Sequence, residues 1–224
     1  DRLPGHEVAR SAGVPLIAAD RMPLGGPLDL VAVNNRQAAA EVAQHLIAGG
    51  RRHILAVAAR ASISNVAERI AGARAAARAA GATLEGLEVG FTLADSRARL
   101  AARLATRPLP DAVFTLNNVA TLGALGALNA AGLVVPADMA LVGFDDEAWM
   151  HVVSPPITAV RQPVAQLGLA AWARLMARIG GDTSPPNEVR LTCTLEIRDS
   201  SLPARRAPHA RIPARTTQKT LEET

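Results

Sequence analysis

Polar side chains follow several short apolar runs that have the composition of buried strands. Asp20, Asn117 and Asp145 each stand just beyond such a run, Asp145 after residues 139–142 and Gly143. Runs of this kind are typical of parallel strands that helices cover on both faces. Open α/β sheets bind their ligands at the carboxyl ends of such strands. Carboxylate and amide acceptors gathered there would suit a small molecule with many hydroxyl groups.

Two of the acidic residues keep a second interpretation. Asp146, directly after Asp145, either contacts a ligand or only caps the next helix. Asp20 either contacts a ligand or forms a salt bridge or a turn. Asp145 is therefore the stronger candidate for a ligand contact.

The motif content favours binding over catalysis. The sequence contains no Gly-x-Ser-x-Gly, no P-loop, no His/Cys metal spacing and no Gly-x-Gly-x-x-Gly after a strand. Common nucleophilic, nucleotide-binding and zinc sites depend on such patterns. We therefore expect that the protein is not an enzyme and that it uses no cofactor and no metal.

Size and composition fit a soluble globular protein. With 224 residues, of which 49% are hydrophobic, the chain can bury a large core in one or two domains. No run approaches the roughly 18 apolar residues of a membrane span, and Asp1, Pro4, Glu7 and Asp20 interrupt the region where a signal peptide would be apolar. The single Cys193 excludes an internal disulfide, which fits a reducing compartment, although exported proteins without disulfides exist. We expect a cytoplasmic protein without membrane contact.

The net charge of +4 and the isoelectric point of 10.7 do not by themselves indicate a nucleic-acid surface. Residues 199–224 hold five of the 24 basic and three of the 20 acidic residues, which leaves 19 basic and 17 acidic residues before them. The isoelectric point is high because arginine supplies nearly all the cations and tyrosine is absent. No basic face for DNA follows from this balance.

Periodicity and helix breakers predict alternating strands and helices. Residues 66–80 predict a helix, with Asn65 and Ser64 before it as ligand contacts or as its N-cap. Residues 191–197 alternate and predict one strand. A helix is predicted up to about residue 179, and its inner stripe is expected to contain Val164, Leu167, Ala171, Leu175 and Met176.

Two adjacent motifs resemble one family of proteins. Asp138-x-Ala-Leu-Val-Gly-Phe-Asp-Asp, a Trp three residues later, and then Pro155-Pro-x-Thr-x-Val-x-Gln-Pro with Gly168 resemble the C-terminal half of the effector-binding core of LacI/GalR-type bacterial transcription regulators. The likeness extends over residues 13–200. It implies an α/β fold of the periplasmic-binding-protein type, in which two doubly wound parallel-sheet lobes are joined by three crossing strands and hold an effector between them.

The resemblance also implies a set of effector contacts. Arg69 precedes Gly72 in the family's Arg-x-x-Gly spacing, at the first turn of a helix whose N-terminus faces the cleft, and otherwise it would be a surface arginine. Phe91 takes the place of an aromatic ring that covers the effector, or it packs in the core. Asn117 would direct both a donor and an acceptor into the cleft. The implied ligand-binding residues are Asp20, Asn65, Arg69, Phe91, Asn117, Asp145 and Gln162.

Three positions depart from the family pattern. Asn34 and Asn118 stand where the family has acids, and Ser96 stands where it usually has Gly. The change at Asn118 puts a family ion pair in doubt, but not the fold.

The resemblance begins part-way into the family pattern. We expect an incomplete N-terminal lobe from residues 1–33 and 163–190, a C-terminal lobe from residues 34–162 and 191–200, and a disordered tail from residue 201 to 224. Neither a helix-turn-helix nor the first βα units of the N-terminal lobe is recognised. The sequence is therefore expected to be a fragment or the product of a truncated gene.

The expected function is that of the effector-sensing core of a repressor-type regulator. Its expected partners are a sugar or related polyhydroxylated effector, operator DNA through a helix-turn-helix absent from this chain, and a second copy in a homodimer. The alternative is a sugar-binding protein of a transporter. An upstream helix-turn-helix would decide for the regulator, and an upstream signal peptide would decide for the transporter.

Overall fold

The computed structural model describes residues 6–22 and 28–203 and contains two separate sheets. The strands are β1 (Ile17–Ala19), β2 (Asp29–Val33), β3 (His53–Ala58), β4 (Thr83–Glu88), β5 (Ala112–Thr115), β6 (Ala140–Phe144), β7 (Thr158–Arg161), β8 (Glu188–Leu191) and β9 (Thr194–Glu196). The helices are α1 (His6–Ser11), α2 (Asn35–Ala48), α3 (Ser64–Ala79), α4 (Leu93–Leu104), α5 (Asn118–Ala130) and α6 (Val164–Ile179). Short 3-10 helices cover Ala148–His151 and Asp199–Ser201.

The small sheet has the order β1-β2-β8, and the large sheet has the order β4-β3-β5-β6-β7-β9. Every pairing is parallel except that of β7 with β9, which is antiparallel. The predicted α/β fold with parallel-sheet lobes is confirmed.

The centre of the large sheet is buried on both faces. Each residue of β5 and β6 is buried, as their continuous apolar sequences require. Phe114 and Phe144 pack on the face that α2 and α3 cover, whereas Leu141 packs with Leu100 and Leu128 of α4 and α5 on the other face. This double cover leaves the carboxyl ends of the strands as the open edge.

Helices α2 and α3 approach each other at Gly72. A Cβ atom there would overlap the carbonyl oxygen of Arg36, so only glycine allows this backbone contact. The contact places the early turns of α3 beside the start of α2. The Arg-x-x-Gly spacing therefore sets Arg69, one turn before Gly72, against the beginning of α2.

The chain passes between the two sheets three times: after β2, after β7 and after β8. The prediction of one strand over residues 191–197 is wrong, because β8 pairs with β2 and β9 pairs with β7. The backbone N–H of Cys193 donates to Asn34 Oδ1 at 2.9 Å in the last crossing. Asn34 thus still supplies an acceptor where the family has an acid.

Helix α6 lies against β1 and β2 but buries none of its residues completely. The predicted inner stripe is wrong at Val164 and Met176, whose exposed fractions are 70% and 45%. Leu167, Ala171 and Leu175 of the same stripe are half-buried. Only one face of α6 finds strands to cover it in the three-stranded sheet, so the wider apolar surface stays exposed.

Some sequence predictions fall at the limits of the described chain. Most of the loop predicted at residues 22–27 and of the tail predicted from residue 201 lies outside the described residues. Ser201 itself was expected in the tail but is buried, and its hydroxyl lies 2.7 Å from His45 Nε2 and 2.6 Å from Thr158 Oγ1. These contacts tie the segment to the large sheet.

Candidate functional site

A cavity of about 440 Å³ lies where the carboxyl ends of strands from both sheets meet. All seven predicted contact residues line it: Asp20, Asn65, Arg69, Phe91, Asn117, Asp145 and Gln162. The sequence reading missed its apolar walls, which include Ala59, Ile63, Leu116, Val119, Val164 and Leu167. Ile63 and Leu116 directly flank predicted polar positions, but their residue types alone indicate only core packing.

Asp20 and Asp145 share an uncommon backbone conformation. Their φ angles are 69° and 75°, in the left-handed region that residues other than glycine seldom adopt. Such strain costs roughly 1–3 kcal/mol and persists where the surrounding structure enforces it, often at ligand sites. Strand β6 ends at Phe144, two residues later than predicted, so Asp145 is the first residue beyond it.

Arg69 is buried, with 3% of its surface exposed, so the surface-arginine interpretation is wrong. Its Nε donates to Asn35 Oδ1 at 2.8 Å and its Nη1 donates to the Leu116 carbonyl at 2.7 Å. The guanidinium carbon lies 3.5 Å from the centroid of the Phe144 ring. No hydrogen bond joins Nη2 to another described residue, so the fixed guanidinium keeps donor capacity for the cavity that it lines. Because α3 begins at Ser64, Arg69 stands in its second turn and not in the predicted first.

Burial changes the pKa values of both charged partners in the cavity. It raises the pKa of Asp145 above its usual value, and the nearby Arg69 charge and the Gln162 hydrogen bond offset this only in part. Burial likewise lowers the pKa of Arg69, opposed by Asp145 and Asp20. Two carboxylates and one buried guanidinium thus face the cavity, and they offer more acceptors than donors.

Asn65 links the two sides of the cavity. Its Nδ2 donates to Asp20 Oδ2 at 2.8 Å, while its Oδ1 is buried without a hydrogen-bond partner. The N-cap of α3 is Ile63, which makes no side-chain capping bond, so the N-cap interpretation of Asn65 and Ser64 is wrong. An unpartnered buried oxygen is costly unless a ligand or water donates to it.

Asn117 is the N-cap of α5, and its Oδ1 accepts from the backbone N–H of Ala120 at 2.7 Å. The prediction that it directs both donor and acceptor into the cleft is therefore wrong, because the helix end uses the acceptor. Its Nδ2 keeps its two protons for other partners. Gln162, from the crossing after β7, donates to Asp145 Oδ1 at 2.5 Å.

Phe91 has 57% of its surface exposed and lines the cavity, so core packing does not explain it. The guanidinium carbon of Arg60 lies 5.2 Å from its ring centroid. A ring in this place can cover the apolar face of a ligand.

Asp146 takes part in neither of its two predicted roles. It accepts from both terminal nitrogens of Arg198, at 2.8 and 2.9 Å, and lies 3.1 Å from His151. It is absent from the cavity lining, and the N-cap of the following 3-10 helix is Glu147. The Asp146–Arg198 pair instead ties the segment after β6 to the segment after β9.

Across the described residues, no group of three or more His, Cys, Asp and Glu side chains could hold a metal ion. Along residues 6–22 and 28–203, no helix combines the length and the apolar character that a membrane crossing needs.

Comparison with known proteins identifies the class of this two-sheet arrangement. Residues 43–201 match the periplasmic binding protein-like domain. The chain is 34% identical over 203 residues to the HTH-type transcriptional regulator PtxS of Pseudomonas putida, a match that covers 89% of this chain and 59% of that protein.

Two ligand-bound structures show the same fold. One is the complex of the transcriptional regulator CelR with cellobiose, with a TM-score of 0.80, 32% identity and coverage of 89% of this chain and 63% of that one. The other is a LacI family transcriptional regulator from Enterococcus faecium with bound ribose, with a TM-score of 0.80, 25% identity and coverage of 90% and 75%.

The chain therefore belongs to the periplasmic binding protein-like domain family, in the form that makes up the effector-binding core of LacI-family transcriptional regulators. It spans about 59% of the length of the PtxS relative and 60% of the CelR regulator of Thermobifida fusca.

Proposed function

We propose that this chain senses a sugar, or a related polyhydroxylated small molecule, as the effector-binding core of a transcriptional regulator. The observation that carries the proposal is the joint lining of one cavity by the buried Arg69, the strained Asp20 and Asp145, and the unpartnered Oδ1 of Asn65. The solved relatives with cellobiose and ribose support this class of ligand.

The chemistry of the cavity suits adjacent hydroxyl groups. A sugar hydroxyl both donates and accepts, so it can satisfy an aspartate and the Arg69 guanidinium at once. Phe91 then covers the apolar face of the ring. The role that this implies for Asp20, Asn65, Arg69, Phe91, Asn117, Asp145 and Gln162 is ligand binding and not catalysis.

The wider assignments rest on family membership. We assign residues 1–33 and 163–190 to one lobe and residues 34–162 and 191–200 to the other. The whole protein would act in the cytoplasm as a homodimeric repressor that binds operator DNA through a separate helix-turn-helix. The named relatives are transcriptional regulators, which favours this function over that of a transporter's binding protein.

Calorimetric titration with D-ribose and cellobiose tests the site. Arg69→Ala and Asp145→Ala should each weaken sugar binding about ten- to a hundredfold, because each removes a buried polar partner worth roughly 1–3 kcal/mol. Arg74→Ala is the matched control, since Arg74 is an exposed arginine of the same helix outside the cavity.

Two results would contradict the proposal. Affinity that stays unchanged in both cavity variants would exclude the site. Failure of the wild-type chain to bind any member of a panel of neutral mono- and disaccharides would exclude the ligand class.

A further inference from the structure

A series of polar side chains connects Arg69 to the small sheet by a route that does not line the effector cavity. Arg69 Nε donates to Asn35 Oδ1 at 2.8 Å, and Asn35 Nδ2 donates to Glu68 Oε2 at 3.1 Å. Glu68 in turn accepts two hydrogen bonds from Arg190 of β8. None of Asn35, Glu68 and Arg190 is among the residues that line the cavity.

The Asn35 amide can satisfy both neighbours in only one orientation. Asn35 is completely buried at the first position of α2. Its oxygen must face the Arg69 N–H, because its NH₂ group is held by the Glu68 carboxylate and more weakly by the Val33 carbonyl, at 3.4 Å. Rotation of the amide by half a turn would set NH₂ against N–H on one side and oxygen against carboxylate on the other, and both contacts are repulsive.

The carboxylate that fixes this orientation belongs to an ion pair between the two lobes. Arg190 Nη1 and Nη2 reach the two oxygens of Glu68 at 2.8 and 2.7 Å, the bidentate geometry of strong Arg–carboxylate pairs. Glu68 is on α3 beside the large sheet, whereas Arg190 is on a strand of the small sheet. Burial alone would raise the pKa of Glu68, but the bonds from Arg190 and Asn35 outweigh it and lower that pKa, so the carboxylate is ionised at neutral pH.

We propose that Asn35, Glu68 and Arg190 are positioning residues for Arg69, so that the orientation of the cavity guanidinium depends on contact between the two lobes. Asn35 holds Arg69 directly, Glu68 orients Asn35, and Arg190 holds Glu68 only while β8 lies beside α3. A change in lobe arrangement that separates Arg190 from Glu68 would loosen Arg69. Effector binding, which needs a fixed Arg69, would then favour the arrangement that keeps the pair. This consequence for the effector rests on the proposed function, whereas the positioning of Arg69 does not.

Hydrogen exchange of the arginine side-chain Nε–H groups, measured by ¹⁵N NMR without any ligand, tests the positioning. The Arg69 signal is assigned by its loss in Arg69→Lys. We expect its Nε–H to be protected in the wild type and unprotected in Asn35→Ala. Glu68→Met should raise its exchange rate about tenfold, and Arg190→Met should raise it less, because each weakens one link of a buried hydrogen-bonded series.

The matched control is Glu85→Met. Glu85 also forms a bidentate pair, with Arg103 at 2.6 and 2.7 Å, but on the outer strand β4. It should leave the Arg69 exchange rate unchanged. A normal thermal melt for each variant shows that the fold is intact. The proposal is overturned if Glu68→Met and Arg190→Met melt normally and leave Arg69 exchange at the wild-type rate.

A second measurement separates a positioning role from a general contribution to stability. In titrations with D-ribose and cellobiose, Glu68→Met should weaken binding several-fold in the wild-type background but have no further effect in an Arg69→Ala background. Equal losses in both backgrounds would show that Glu68 acts on the ligand independently of Arg69, against the proposal. If neither sugar binds the wild type, the proposed function fails, while the exchange experiment still decides the positioning.

Discussion

At the scale of single residues, the cavity keeps features that work against stability. Asp145 is buried in a left-handed conformation, with a pKa raised by that burial, and Asn65 holds an unpartnered oxygen. Each of these would be removed by selection for stability alone, since buried charges and unsatisfied acceptors cost free energy. Their presence around one cavity is expected where binding needs them.

Asp145→Asn should raise the melting temperature at neutral pH. The folded-state pKa of Asp145 lies above its usual value of 3.8 because burial disfavours the carboxylate, so its charge destabilises the fold at pH values above the raised pKa. Asparagine tolerates the left-handed conformation and keeps an oxygen for Gln162. The gain should shrink as pH falls through the raised pKa toward 3.8, where the wild-type side chain protonates.

Melting curves of Asp145→Asn and wild type between pH 4 and pH 7.5 test this expectation. The control is Asp199→Asn, which changes an exposed aspartate. A variant that melts below the wild type at pH 7, or a difference that does not depend on pH, would contradict the destabilising role of the buried charge.

The sequence located the cavity residues better than it located their bonds. All seven predicted contacts line the cavity, because strand ends and the family motifs mark chain position. The partners of each side chain depended on details that the pattern does not contain. The start of α3 at Ser64, a few residues earlier than predicted, moves Asn65 into the helix and Arg69 into its second turn. The capping role of Asn117 likewise depends on where α5 begins.

At the scale of elements, the main errors came from patterns that two environments share. Residues 191–197 alternate as a strand does, yet Cys193 marks the passage from one sheet to the other. Alternation reports that each half is extended, but not that the halves pair with different sheets. The stripe of α6 failed for a related reason, because periodicity marks an apolar face but not how much of it the neighbouring sheet covers.

Polar bonds hold α6 where apolar burial is incomplete. Asp29 of β2 has only 3% of its surface exposed and accepts from Arg174 and Arg178 of α6, at 2.8 and 2.6 Å. Burial alone would raise the pKa of Asp29, but these bonds and that from the Asn187 backbone lower it to about 2. A carboxylate held in this way contributes stability above its unfolded-state pKa of 3.8, and this contribution is lost as pH falls through about 2.

Asp29→Asn should therefore loosen α6 selectively. At pH 7 we expect a loss of about 2 kcal/mol, from a pKa shift of nearly two units at roughly 1.4 kcal/mol each. Amide hydrogen exchange should rise in α6 and much less in β5 and β6. The difference between variant and wild type should narrow below pH 4. Glu85→Gln, in the large sheet, is the control and should leave α6 exchange unchanged; equal exchange of α6 in Asp29→Asn and wild type would show that apolar contacts suffice.

At the scale of the whole molecule, one helix contacts both lobes. In its first two turns, α3 reaches the small-sheet side through Ser64 to the Met22 carbonyl, Asn65 to Asp20, and Glu68 to Arg190. The same turns carry Arg69 into the cavity. A ligand bound to Arg69 therefore acts on the element that senses how the two lobes are arranged.

The last expectation concerns DNA and follows from the distribution of charge. The first 198 residues carry 19 basic and 17 acidic residues, and many of the arginines are already paired, among them Arg103, Arg174, Arg190 and Arg198. Phosphate contacts need unpaired cations on one face, since each neutralised phosphate releases a counterion and supplies affinity. We expect this chain alone to form no sequence-specific complex in a mobility-shift titration at physiological salt against DNA upstream of its own gene. The full-length protein is the positive control. A specific complex formed by this chain would place DNA recognition within it and would overturn the assignment of that role to another segment of the whole protein.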